Sequence, residues 1–178
     1  MRSINWLVAF LVVLALLVVP TKAFAQTPQE QWLVLSAAAE NADMAEKNVR
    51  GYYKIVVGQG GKTVWGSSED ETAYGFALAF YGFYSEIAID AGTQAKQLLG
   101  EAYVAIENND IPTAWTLMEQ ADLKGVVWQD AIYGMAVQAE FAYELVKRQS
   151  QSIWTMEAEL GQAVGDIIAE RHPPFRKR

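Results

Sequence analysis

The sequence predicts an all-α protein, a compact bundle of five to six helices around one central helix that is apolar on all sides. Apolar residues recur with a period near 3.6 through most of the chain, which is typical of amphipathic helices. Residues that favour helix starts precede several of these segments, and glycines or prolines separate them. At 178 residues and 52% hydrophobic composition, the chain is long enough to bury a core without disulfides.

The first 25 residues have the pattern of a signal peptide. An apolar run follows the basic start and ends at Val19, and Ala23-Phe24-Ala25 is a typical cleavage site. The alternative is a retained anchor, but a run of sixteen residues, apolar except for Asn5, spans at about 1.5 Å each only about 24 Å of a roughly 30 Å hydrocarbon layer. We therefore expect cleavage before Gln26 and a periplasmic or secreted protein, with one helical domain over 26–171 and a basic tail over 172–178.

The first predicted helix begins with Thr27 as N-cap, Pro28 in the first turn and Glu30 in a capping box. We expect it to end at Gly51. Two structures are compatible with residues 52–65, which are rich in β-branched, aromatic and glycine residues. They form either a short β-hairpin, or a continuation of the helix to about Val57 followed by a glycine-rich loop, and we favour the helix.

The segment 69–89 is predicted to be the central helix. Ser68 and Glu71 form a potential capping box, and no charged residue occurs from Ala73 to Tyr84. A helix that is apolar all round is usually buried among its neighbours. Further helices are expected at 95–107, about 111–125, 127–148 and 150–171.

A short region resembles one helical hairpin of the tetratricopeptide type. The matching residues are Leu99, Gly100, Tyr103, Ala114, Met118 and Ala121. The resemblance implies an antiparallel helix pair at this place in the chain.

Residues 66–84 and 125–143 share a starting glycine, an acidic first turn and a Tyr-Gly pair. They represent either a duplicated pair of core helices or a chance similarity between alanine-rich helices. Gly75, Ala79 and Gly82 also form a stripe of small residues, which would permit a close approach of two helices.

The residue types needed for common catalytic and metal sites are nearly absent. The chain has no cysteine and one histidine, His172 in the tail, so thiolate, two-histidine and covalent haem sites are excluded. We expect no cofactor and no metal. The net charge of −7 argues against nucleic-acid binding. Glu86 and Glu140 remain as candidates for acid–base catalysis, because burial would raise the pKa of a carboxyl group.

These observations favour a non-catalytic, exported binding or accessory protein that contacts a protein partner or another copy of itself. One alternative is a carrier of a small apolar ligand or non-covalent cofactor, held between helices and lined by Tyr74, Tyr81, Trp128 and Tyr133. A second alternative is an enzyme that uses a buried carboxylate. The basic tail could also contact an anionic membrane, without spanning it.

Overall fold

The computed structural model describes residues 27–149 and residue 164, and the continuous part consists of three long helices. Helix α1 comprises Pro28–Gly60, α2 comprises Ser68–Glu107 and α3 comprises Ile111–Gln149. No strand occurs in this part of the chain. At about 1.5 Å per residue, each helix is roughly 50–60 Å long.

The expectation of five to six helices is wrong, since the glycines that were expected to end helices lie inside them. Gly51 lies within α1, Gly92 within α2 and Gly125 within α3. At Gly92 an added Cβ would lie 2.6 Å from Cε2 of Trp128, so this glycine lets α3 approach α2 closely. The two helices expected on either side of Gly92 form one continuous helix, α2. The two expected on either side of Gly125 likewise form α3. The last expected helix, 150–171, lies outside the described residues except for Val164, which is buried in the core.

The expected β-hairpin at 52–65 is not formed, and the helical alternative is confirmed. Helix α1 continues past Val57 to Gly60, and the amide of Gly61 donates to the carbonyl of Val57. Val56 is fully buried within this segment, which shows that packing outweighs the β-propensity of the local sequence.

Capping residues account for where the helices begin. The capping box at Thr27 is confirmed: its hydroxyl accepts from the Glu30 amide at 3.2 Å, and the Glu30 carboxylate accepts from the Thr27 amide at 2.9 Å. The N-cap of α2 is Ser67, not Ser68 as expected, and its hydroxyl accepts from the Asp70 amide at 3.1 Å. The helix boundary lies one residue earlier than expected, because the hydroxyl that accepts from a first-turn amide belongs to Ser67 and that amide to Asp70.

Helices α2 and α3 form an antiparallel hairpin, as the resemblance implied. The turn between them is short, and Asn109 has a φ of 57°, a left-handed conformation that asparagine tolerates well. Asp110 accepts from the Thr113 amide at 3.3 Å and so caps α3.

The central helix is α3, and the expected all-round burial of 69–89 is wrong. Helix α3 packs against both other helices and has five buried residues out of six between Ala131 and Ala136. The first half of α2 instead has one buried face, which includes Tyr74, Ala77 and Tyr81, and one exposed face. Among the described residues α2 packs against two helices, α1 and α3, and its remaining side is exposed.

Candidate functional site

Three phenylalanines project from the solvent side of α2. Phe76, Phe80 and Phe83 are 62%, 53% and 57% exposed. Their spacing of four and three residues places them in one row along the helix. Large apolar side chains exposed singly are common on proteins, but three neighbouring exposed aromatic rings form a larger apolar patch, which makes this row a candidate functional surface.

Small residues lie beside this row on the same side of the helix. Gly75, Ala79 and Gly82 are all exposed, and a Cβ built at Gly75 or Gly82 would meet no atom within 4 Å. The row of phenylalanine rings therefore lies next to a shallow furrow, where the helix backbone is not covered by side chains. We call the two rows together the α2 face; its residues are Gly75, Phe76, Ala79, Phe80, Gly82 and Phe83.

Acidic residues mark both ends of the α2 face. Glu69 precedes Phe76 by seven residues and Asp90 follows Phe83 by seven, so both continue the aromatic row at helical spacing. Glu86 follows Ala79 by seven residues, and all three carboxylates are exposed. No lysine or arginine occurs in α2 before Lys96. The α2 face is therefore uncharged in the middle and negative at its ends.

Aromatic packing fixes the opposite side of α2 to α1. Tyr81 stacks on Tyr53 with ring centroids 3.5 Å apart and planes at 2°, and Tyr74 contacts Trp65 at 5.0 Å. An added Cβ at Gly60 would lie 2.0 Å from the Tyr74 hydroxyl oxygen, so a side chain there would force the Tyr74 ring to move. The side of α2 opposite the α2 face is therefore packed against the rest of the bundle.

The tyrosines in this contact have unusual hydrogen bonding. The hydroxyls of Tyr74 and Tyr81 are buried and have no hydrogen-bond partner among residues 27–149 and 164. Burial raises the pKa of Tyr53, Tyr74 and Tyr81, because the phenolate would lose hydration.

A polar network joins α1 to α3 below these rings. Glu46 accepts from the indole N–H of Trp128 at 2.7 Å and from Nε of Arg50 at 2.8 Å. Arg50 Nη2 also lies 2.7 Å from the Glu46 carboxylate as an ion pair. Lys96 of α2 lies 5.0 Å from the centroid of the Trp128 ring. The network gives the buried indole an acceptor and connects all three helices.

Asp43 completes the network at the surface. It forms ion pairs with Lys47 and Lys96, and hydrogen bonds from these two lysines lower the pKa of its carboxyl group. These contacts are largely solvent-accessible, so their contribution to stability is small.

The two candidate catalytic carboxylates have different surroundings. Glu86 is exposed at the end of the α2 face, whereas Glu140 is half-buried on α3 and accepts a hydrogen bond of 2.6 Å from the Tyr52 hydroxyl. Burial, and then the bond to Glu140, raise the pKa of Tyr52. Acid–base chemistry by either glutamate stays a prediction.

The four candidate ligand-lining residues lie in different parts of the bundle. Tyr81 contacts Tyr53 of α1, and Tyr74 contacts Trp65 in the connection between α1 and α2. Trp128 is fully buried near Glu46, and Tyr133 is half-buried on α3. A role for them in ligand binding stays a prediction.

Two features could not be recognised from the sequence. One is the α2 face, because a helix without charged residues is expected to be buried on all sides. The sequence does contain one signal: Gly75 and Gly82 directly follow Tyr74 and Tyr81, so the glycines lie on a different side of the helix from the tyrosines. The other is an open groove of about 350 Å³ between α2 and α3, lined by Gln94, Gln97, Leu98, Gln120, Leu123 and Lys124.

Among residues 27–149 and 164, no group of three or more histidine, aspartate or glutamate side chains is placed to hold a metal ion. None of the helices described is both long enough and apolar enough to cross a membrane. Comparison with protein-family models, with curated proteins and with solved structures found no match.

Proposed function

We propose that this protein is an exported, non-catalytic accessory protein that binds a protein partner through the α2 face. The observation that supports this function is the row of three exposed phenylalanines on a helix that is otherwise firmly packed. Export is proposed from the signal-peptide pattern of residues 1–25, and with it a periplasmic or secreted location.

The energetics are those of an interface. Complete burial of a phenylalanine side chain contributes about 1.5–3 kcal/mol, so covering three half-exposed rings contributes roughly 3–4 kcal/mol in all. The Tyr53–Tyr81 stack already holds this part of α2 in place. Binding a partner would therefore not require the free energy needed to order the helix.

Site-specific photo-crosslinking in the native cell tests the proposal. A photoreactive phenylalanine analogue at position 80 should form one discrete adduct, whereas the same analogue at position 141 should not. Phe141 is a matched control, because it is 45% exposed but lies on α3. Phe76→Ser should abolish the adduct at position 80. No adduct at position 80, or equal adducts at both positions, would count against this function.

A second candidate, a carrier of a small ligand, is favoured by the orphaned hydroxyls of Tyr74 and Tyr81. A polar atom of a bound molecule could supply the partner that each hydroxyl lacks. Native mass spectrometry of protein purified from its host should then show a bound mass that is lost in Tyr81→Phe. A spectrum of the unliganded chain alone would remove this candidate.

A further inference from the structure

We propose that the α2 face binds a helix whose apolar seam is flanked by lysine or arginine at both ends. This inference rests on the proposed function and specifies the chemistry of the partner. It is carried by the charges at the ends of the face: Glu69 at one end, Glu86 and Asp90 at the other, and no cation in α2 until Lys96.

The length of the face sets the spacing of the partner's cations. Glu69 and Asp90 are separated by 21 residues of continuous helix, or about 32 Å. A helix packed nearly parallel or antiparallel to α2 would therefore present its cations about five to six turns apart. Between them it would need an uncharged seam that covers Phe76 to Phe83.

The relief of the face suits a helix. Helices pack by placing a ridge of side chains in the groove of the neighbour, with axes about 8–10 Å apart. On α2 the phenylalanine row is such a ridge, and the open backbone at Gly75 and Gly82 is a furrow that a partner's side chains can enter. A flat or extended partner would contact the phenylalanine ridge without also placing side chains in the furrow.

A second copy of this chain fits the shape but not the charge. An antiparallel pairing about a two-fold axis between Ala79 and Phe80 would place Phe76 opposite Phe83, and Glu69 opposite Asp90. A parallel pairing would place each carboxylate near its own equivalent. Both arrangements bring like charges together at each end, which is unfavourable. A partner with basic ends replaces this repulsion with attraction.

An anionic membrane is disfavoured for the same reason. Anionic lipid headgroups attract lysine and arginine near an inserted apolar surface. The α2 face has only carboxylates at its ends.

Two synthetic peptides provide the test. Both are helices of about 21 residues with the same leucine and alanine seam; one has two lysines at each end and the other has two glutamates. Binding of each labelled peptide to the exported full chain is measured by fluorescence anisotropy at about 0.1 M and about 1 M salt. Vesicles of phosphatidylcholine and phosphatidylglycerol are tested in parallel.

The lysine peptide should bind at least about tenfold more tightly than the glutamate peptide at low salt, and the difference should shrink at high salt. The triple variant Glu69→Gln, Glu86→Gln, Asp90→Asn should remove the difference. A control with the same change in charge, Glu40→Gln, Glu101→Gln, Glu107→Gln, should retain it. Phe80→Ser should weaken binding of both peptides.

Several results would overturn the inference. They are equal binding of the two peptides, no binding of the lysine peptide up to about 1 mM, equal effects of the two triple variants, or tighter binding to the vesicles than to the peptide. A crosslinked adduct at position 80 that survives the Glu69, Glu86 and Asp90 changes would refute the basic partner but leave the proposed function in place. Loss of position selectivity in crosslinking would instead refute the proposed function.

Discussion

Single hydroxyl groups where α1 packs against α2 and α3 determine how these contacts respond to substitution and to pH. Tyr81 and Tyr52 are both buried, but within the described part of the chain Tyr52 has a hydrogen-bond partner, the carboxylate of Glu140, and Tyr81 has none. A buried hydroxyl without a partner costs about 1–3 kcal/mol, whereas a satisfied one is close to neutral or favourable. The two tyrosines should therefore respond in opposite ways to the loss of the hydroxyl.

Tyr81→Phe should raise the free energy of unfolding at pH 7 by about 1 kcal/mol, because it removes an unsatisfied group and keeps the ring stacked on Tyr53. The raised pKa of Tyr81 also has a consequence at high pH. The unfolded phenol titrates near pH 10, so stability is complete below that pH and falls above it, by up to about 1.4 kcal/mol per pH unit for each such tyrosine. Urea unfolding at pH 7 and from pH 9 to 11 should show a shallower alkaline loss in Tyr81→Phe.

The control for this substitution is Tyr52→Phe, which leaves the half-buried Glu140 carboxylate without its donor. It should lower the free energy of unfolding at pH 7 by about 1–2 kcal/mol. If both variants lowered stability, the hydroxyl of Tyr81 would have a partner in solution; if both raised it, the bond from Tyr52 to Glu140 would not be stabilising.

At the scale of helices, the capping box at Thr27 and the turn after Glu107 could be predicted from sequence, whereas the boundaries expected at internal glycines were wrong. The Thr27 capping box is a local interaction between residues three apart, so it can be read directly from the sequence. Gly92 and Gly125 resemble helix ends in sequence, but both are buried inside long helices. Only the position of the neighbouring helix distinguishes a glycine that ends a helix from one that allows close packing.

Gly92→Ala should therefore destabilise the protein although alanine favours helix formation. The new Cβ would lie 2.6 Å from the ring of fully buried Trp128, and the indole is held in place by its bond to Glu46. We expect a loss of about 1–3 kcal/mol from overpacking. Thermal unfolding followed by circular dichroism would measure it.

Gly100→Ala is the matched control, because it lies in the same helix and its Cβ would meet nothing within 4 Å. There the higher helix propensity of alanine should raise stability by about 0.5–1 kcal/mol. A gain at both positions would mean that α2 and α3 are not in close contact at Gly92.

At the scale of the molecule, the helical class could be predicted but the exposed face of α2 could not. Hydrophobicity alone does not distinguish Phe80, which is exposed, from Tyr81, which is buried one residue later. That distinction depends on where α1 and α3 pack, which is a non-local property. The candidate surface therefore became visible only in the folded chain, although its acidic ends are plain in the sequence.

The charges at these ends should also control self-association. We expect the protein to be monomeric at about 0.1 M salt, because pairing through the α2 face would oppose Glu69 and Asp90 across a distance within the Debye length of about 10 Å. The variant Glu69→Gln, Glu86→Gln, Asp90→Asn removes this repulsion while keeping the phenylalanines, so it should dimerise in a concentration-dependent way in sedimentation velocity experiments. Adding Phe80→Ser to that variant should restore the monomer. A variant that stays monomeric at all concentrations would mean that charge is not what prevents the face from pairing with itself.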